Sequence, residues 1–278
     1  MKKNHHHWLV TLALALFLVP GISYGQDLDF DNIDKSDLEN IIGDLSANFA
    51  HTTVSGGSAL GAVFGFELGV VGGVTSTPGV DKLVKETDPN ADSAALPHAG
   101  LLIQFSVPMG VTVEANLIPS FGSEDFKFSN TGIGVKWTMT DSVLSLPFNL
   151  ALKGNMTKTE LKFETVINNA STGNIPVDSK LEFSNTTMGL AAVISKNFLI
   201  FEPYFGFGFV NSDGDLRVDG TGSIFDTTLT TGQSAGAKNS GTHMFLGAEL
   251  DLFFLKLGIE YAKIIDADRY TGKLAFSF

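Results

Sequence analysis

Residues 60–70 read LGAVFGFELGV, and apolar side chains occupy every second position. Leu60, Ala62, Phe64, Phe66, Leu68 and Val70 form one face, with Gly61, Val63, Gly65, Glu67 and Gly69 on the other. Side chains that alternate by two belong to an extended strand, because successive Cβ atoms point to opposite faces of a sheet. The same alternation returns at Ile103/Phe105/Val107, Val111/Val113/Ala115/Leu117, Ile133/Val135/Trp137/Met139, Phe148/Leu150/Leu152 and Met188/Leu190/Ala192/Ile194. It continues at Phe205/Phe207/Phe209, Met244/Leu246/Ala248/Leu250/Leu252, Leu257/Ile259/Tyr261 and Leu274/Phe276/Phe278. The pattern predicts an all-β fold of about ten strands.

The composition excludes other classes. Of 278 residues, 44% are hydrophobic and 17% charged, with 30 glycines, 23 phenylalanines and no cysteine. Such a chain is too apolar for disorder and too rich in glycine for a helical bundle. A membrane helix needs about 18 consecutive apolar residues, and the longest run, Trp8–Val19, holds about 12. That run follows Lys2 and Lys3 and precedes Pro20-Gly21 and the small residues Ser23 and Gly25, so residues 1–25 read as a cleaved secretory signal peptide. His5, His6 and His7 lie in it and are not ligands of the mature chain. Beyond it stand 16 basic and 30 acidic residues, which argues against a nucleic-acid partner.

Alternation alone does not separate a soluble sandwich from a membrane barrel, in which apolar residues face lipid and polar residues the lumen. Connection lengths do. Long gaps (76–96, 119–125, 165–180, 211–241) alternate with tight ones at Pro108-Met109-Gly110, 141–146, Ser195-Lys196-Asn197 and Phe253-Phe254, as extracellular loops alternate with periplasmic turns, with Asp266-Ala267-Asp268 as a short exception on the long side. The chain's last residues, Leu274, Phe276 and Phe278, resemble the C-terminal assembly signal of Gram-negative outer-membrane barrels, with its glycine displaced by one to Gly272. The pattern of residues 58–278 resembles uncharacterised bacterial barrels of the domain-of-unknown-function kind. That resemblance implies a monomeric transmembrane antiparallel β-barrel in the cell outer membrane. It also implies lipid and lipopolysaccharide as surroundings and the barrel-assembly machinery as a partner in biogenesis.

Residues 26–57 form an acidic tether and a short amphipathic helix. Ser36-x-x-Glu39 makes a capping box before Leu38, Ile41, Ile42, Leu45 and Phe49. The apolar stripe must be buried, either on the periplasmic rim, the favoured reading, or inside the lumen as a plug. Asp27-x-Asp29-x-Asp31 has a calcium-loop beginning without the sixth-position glycine or twelfth-position glutamate, and reads as a flexible tether; no metal or cofactor is expected.

Ten strands enclose far less than the 16–18 that leave an aqueous channel. The inward phase carries Glu67, Glu114, Glu202, Glu249, Asp251 and Glu260 against Lys136, Lys153, Lys256 and Lys273. Counted from the turns, Glu114 should lie level with Lys136, and Glu260 with Lys273, as a salt-bridge network closing the lumen. The inward Gly61, Gly65, Gly69, Gly206 and Gly208 leave space for the helix or a narrow ligand. In the fifth and sixth strands the apolar residues change parity, from Leu152 to Leu161 and Phe163 and from Met188 to Phe183 and Leu181. The change predicts paired bulges near Asn155 and Asn185, with the hairpin above them turning an apolar face over the mouth.

Three functions follow in order of preference. The first is a structural barrel or narrow passage for small solutes, apolar ones among them. The second is surface adhesion through loops 165–180 and 211–241. The third, an enzyme, is not expected: its weak candidates, His98 and His243, fall inward near the extracellular ends of non-adjacent strands, with Asp92, Ser93 and Ser240 near in sequence.

Overall fold

The computed structural model describes residues 35–278, apart from 62, 88, 90–94, 123–125, 142, 170–174, 220, 225–226 and 231–232. The signal-peptide reading and the acidic Asp27–Asp31 start lie outside the described residues, as do Asp92 and Ser93.

Helix α1 (Lys35–Phe49) comes first, followed by an extended segment without secondary structure (residues 50–60). Strands β1 (Gly65–Thr75), β2 (Leu96–Val107), β3 (Val111–Gly122), β4 (Phe126–Thr138), β5 (Asn149–Asn169), β6 (Ile175–Ser195) and β7 (Phe201–Asp219) come next. After a small hairpin of β8 (Thr221–Ile224) and β9 (Thr227–Thr230) come β10 (Gln233–Leu252), β11 (Leu255–Ile264) and β12 (Ala267–Ser277). Each barrel strand pairs antiparallel with its neighbours in order, and β1 pairs with β12, closing a ten-stranded barrel. At the seam Phe66 and Phe278 exchange both backbone hydrogen bonds, at 2.9 and 2.8 Å.

The alternation has the expected sense. Phe66, Leu68, Val70, Val113, Ile133, Val135, Leu190, Phe207, Phe209, Leu246, Ile259, Leu274 and Phe276 point out and are exposed, making an apolar belt around the wall. Their neighbours point in and are buried, Gln104, Thr112, Glu114, Thr157 and Thr271 among them. Such a surface is far too apolar and continuous for water and suits lipid. One end of the barrel carries the short turns, including the 3-10 turns Pro108–Gly110 and Met139–Asp141, together with Phe278. The other end carries the long connections, and helix α2 (Pro78–Thr87) folds there between β1 and β2, in a stretch the sequence suggested only as a gap.

Two expectations change. The parity switch in β5 and β6 produces no bulge: the β5–β6 ladder runs unbroken from Asn149↔Ser195 to Asn169↔Ile175. What switches is the environment. Leu181 and Phe183 point inward and are buried, while Lys158–Glu160 (2.7 Å), Lys162–Glu182 (2.9 Å) and Lys180–Glu182 (3.1 Å) pair on the outside. Above the belt water replaces lipid outside, so the polar residues move out and the apolar ones in without any change of phase. The expected loops 165–180 and 211–241 are correspondingly strand over much of their length, because β5, β6, β7 and β10 rise well beyond the belt. A register shift is found instead in β3, between Ile118 and Phe121.

β2 and β3 also separate. Their ladder ends at Leu101↔Leu117, although β2 continues to Leu96 and β3 to Gly122, each paired only with its other neighbour. The wall is therefore split over its last few residues at the long-hairpin end.

Candidate functional site

The lumen is occupied by the chain's own N-terminal segment. Helix α1 lies at the long-hairpin end, opposite to the end where β1 begins, and residues 50–58 run down the lumen to the short-turn end. This corrects the rim reading: the helix stripe is buried inside the mouth. Leu38, Ile41, Ile42 and Leu45 pack with Leu83 and Val84 of α2 and with Leu181, Phe183 and Leu216 of the tall strands. Phe49 meets the rings of Phe128 at 5.1 Å and Phe183 at 6.5 Å.

Below the helix the contacts become polar. Arg269, fully buried, donates from Nη1 to the carbonyls of Ala47 (3.3 Å) and Ala50 (2.9 Å), placing its charge at the negative end of the α1 dipole. Asn48 Nδ2 donates to Pro97 O (3.2 Å) and Asn116 Nδ2 to Thr52 O (2.8 Å). Thr52 donates to Glu260 (3.0 Å), which also accepts from the Tyr204 hydroxyl (3.0 Å). Lys153 donates to the hydroxyls of Thr53 (2.7 Å) and Ser55 (3.2 Å). At the bottom Gly56 N donates to Glu249 (2.8 Å), Gly57 N to Ser195 (2.9 Å) and Ser58 N to Glu202 (3.1 Å). Lys136 donates to Gly56 O (3.1 Å) and Ser58 O (2.8 Å), and Thr138 to Gly57 O (2.7 Å). An extended segment has no internal hydrogen bonds, so wall side chains satisfy its backbone.

Two close approaches show how the wall makes room. A Cβ on Gly132 would stand 2.7 Å from His51 Nδ1, and one on Gly258 would stand 2.8 Å from Val54 Cγ1. The space predicted beside Gly206 is filled by the Phe245 ring, and that beside Gly208 by the neighbouring strand. Val54 itself is fully buried with φ +47°, a left-handed conformation that a β-branched residue adopts only under constraint.

The inward charges are where the alternation put them but pair differently. Five buried wall carboxylates (Glu67, Glu114, Glu202, Glu249, Glu260) meet five buried cations (Lys136, Lys153, Lys256, Lys273, Arg269) among the described residues. Glu114 stands opposite Gly134, with Lys136 opposite Thr112, so the expected pair is two residues out of step. Glu114 contacts Lys153 (3.4 Å) and His51 of the plug (3.5 Å) instead. Lys273 stands opposite Gly258 and reaches Glu67 (3.0 Å) and Glu249, while Glu260 turns to Thr52 and Tyr204. Lys256 lies 3.8 Å from Glu67 and 3.7 Å from Asp251, which is exposed at the short-turn mouth.

The two histidines have separate surroundings among the described residues. His98 is buried with its ring nitrogens on the hydroxyls of Thr75 (3.3 Å) and Thr271 (3.0 Å); His243 lies against the Phe245 ring (4.8 Å). No group of three or more potential metal-ligating side chains occurs among the described residues. The plug's contacts were hidden from sequence reasoning because most anchor points are backbone atoms, those of Ala47, Ala50, Thr52, Gly56, Gly57 and Ser58 among them. Arg269 had a signal that could have been read: one of two arginines, in phase with Thr271 and Lys273, two and four residues further on.

Comparison with solved structures gives barrels at low identity. The attachment invasion locus protein Ail of Yersinia pestis is 10% identical over 77% of this chain and 97% of its own, with a TM-score of 0.33. The translocator domain of the autotransporter NalP from Neisseria meningitidis is 10% identical over 78% and 89%, with a TM-score of 0.38. The toluene transporter TbuX of Ralstonia pickettii is 8% identical over 84% and 97%, with a TM-score of 0.30. No curated protein matches the chain. One family model matches residues 2–278, nearly the whole length, and the chain belongs to that family, DUF6588, a family of unknown function.

Proposed function

We propose that this protein is an outer-membrane barrel held shut by its own N-terminal segment, and that it serves as a gated passage for small solutes. In this reading the apolar belt meets lipid, the short-turn end faces the periplasm, and the tall strands stand outside among lipopolysaccharide. Leu274, Phe276 and Phe278 present the signal to the assembly machinery. The observation that carries the proposal is the nature of the plug. Residues 50–58 are held by hydrogen bonds to a charge-balanced wall. Water can replace such contacts one by one, so their net worth is small compared with that of an apolar core. The constrained Val54 adds a cost to the closed state, on the order of 1–3 kcal/mol. A barrel meant only to be solid would fill this space with side chains from its own strands.

The test is conductance in planar bilayers. The full chain gives a closed baseline with rare openings, and the protein lacking residues 26–57 gives sustained steps. A silent deletion variant that still inserts would overturn the passage and leave a structural barrel.

A further inference from the structure

The split between β2 and β3 is written into the sequence. Because Phe66 and Phe278 exchange bonds across the seam, even residues of β1 bond to β12 and odd ones to β2. Even residues of β2 therefore bond back to β1, and its odd residues present their N–H and C=O groups to β3. Continued upward, the register Leu101↔Leu117 would place Ala99 opposite Pro119, where the register shift of β3 begins, and Pro97 is the next residue of β2 to face the gap. Both prolines fall at positions whose N–H would have crossed the gap, and proline has none. Each lip lacks a ladder donor, so the strands cannot zip, and neither lip suits an added strand from another chain.

The outward side chains along the split are Pro97, Ala99, Leu101, Leu117 and Pro119, all apolar, and it lies level with the belt residues Val70 and Val74. Behind it the upper lumen holds Leu96, Leu181, Phe183 and Leu216, with His98, Asn116 and Arg269 at the height of the split and the layer of paired Lys and Glu side chains below. The plug holds both lips: Asn48 takes the Pro97 carbonyl left by β3, and Asn116 of β3 takes Thr52 O. Asn48 Oδ1 is buried without a hydrogen-bond partner, so this inner seal is thin.

We infer that the split is a lateral portal by which small apolar solutes pass between the upper lumen and the surrounding bilayer, with α1 and its following residues as the inner shutter. The inference rests on the gated-passage reading and specifies its route and solute class. A solute leaving through the wall passes Arg269 and His98 at the height of the split and avoids the carboxylates and ammonium groups of the lower lumen.

The test is uptake of the apolar dye N-phenyl-1-naphthylamine by cells carrying the full-length protein, read as the rate at which fluorescence rises. Two variants close the portal. In Pro97→Val/Pro119→Val both ladder donors return. In Ala99→Cys/Ser120→Cys the lips are joined by a reducible bismaleimide, with no native cysteine to interfere. The expected result is faster uptake than in cells without the barrel, loss of that excess in both variants, and its return when the bridge is reduced. Uptake unchanged by the bridge, or no excess in the unmodified protein, overturns the portal. If the plug-deleted barrel conducts ions while dye uptake ignores the bridge, the portal falls and the passage stands; if it does neither, both fall.

Discussion

Asp44 sits on the buried face of α1 and accepts from the backbone N–H of Val80 at 2.9 Å, with Asp81 of α2 and Asp266 of the last turn as charged neighbours. Burial first, then those two carboxylates, raise its pKa to about 6 from an ordinary 3.8, against the lowering effect of the Val80 and Gly79 amides. A raised carboxylate binds its proton more tightly in the docked state. Its contribution is therefore complete below about pH 4 and is lost as pH rises through about 6. The magnitude is on the order of 2–3 kcal/mol. Limited proteolysis within α1 should accordingly be slow at pH 4.5 and faster at pH 7.5. Asp44→Asn, which keeps the acceptor and removes the charge, should be slow at both. A pH slope that survives in the asparagine variant would assign it to another group. At this scale sequence reading located the inward charges but not their partners. Counting from turns took the gap at 141–146 as the end of β4, but β4 ends at Thr138 and a 3-10 turn follows, so Lys136 stands opposite Thr112, two residues from Glu114.

Among the elements, the tall β5–β6 hairpin shows what alternation does and does not report. Period two identifies which face is apolar; the direction of that face depends on the solvent outside. Leu150 and Leu152 are apolar toward lipid, Leu181 and Phe183 apolar toward α1, and one unbroken ladder carries both. An inferred bulge was the cost of assuming one environment for the whole strand. Helix α1 was legible as a helix from its stripe and acidic start, but its burial site was not, since Phe128, Phe183 and Leu216 lie far away in sequence. Phe183→Ala should weaken docking of α1 by about 3–5 kcal/mol through lost burial and a residual cavity. Because the residue lies above the belt, the barrel itself should keep its resistance to detergent unfolding. Proteolysis of α1 should accelerate while electrophoretic mobility of the unheated barrel stays unchanged; loss of the folded band would mean that the hairpin supports the wall as well.

For the molecule as a whole, ten strands, their order and the lipid-facing set followed from the sequence, because each depends on local alternation and short connections. The closing contact depends on the two ends meeting: Phe278 N donates to Phe66 O while Phe66 N donates to Phe278 O. Removing Phe278 takes away this pair and one exposed aromatic of the proposed assembly signal. Folding into preformed detergent micelles should then proceed with slight loss, while insertion in cells should fall sharply. Equal losses in both settings would place the residue's role in the seam alone.

The plug joins directly to β1, and β1 closes the ring by pairing with β12. The filled lumen therefore imposes a sequence of events on biogenesis. Residues 50–58 must already lie across the unfinished sheet when the final hairpin arrives, since a helix of the α1 kind has little room to be threaded through a finished ring. A wall that closes around residues 50–58 is filled when the β1–β12 seam forms, so closure of the ring and sealing of its interior coincide.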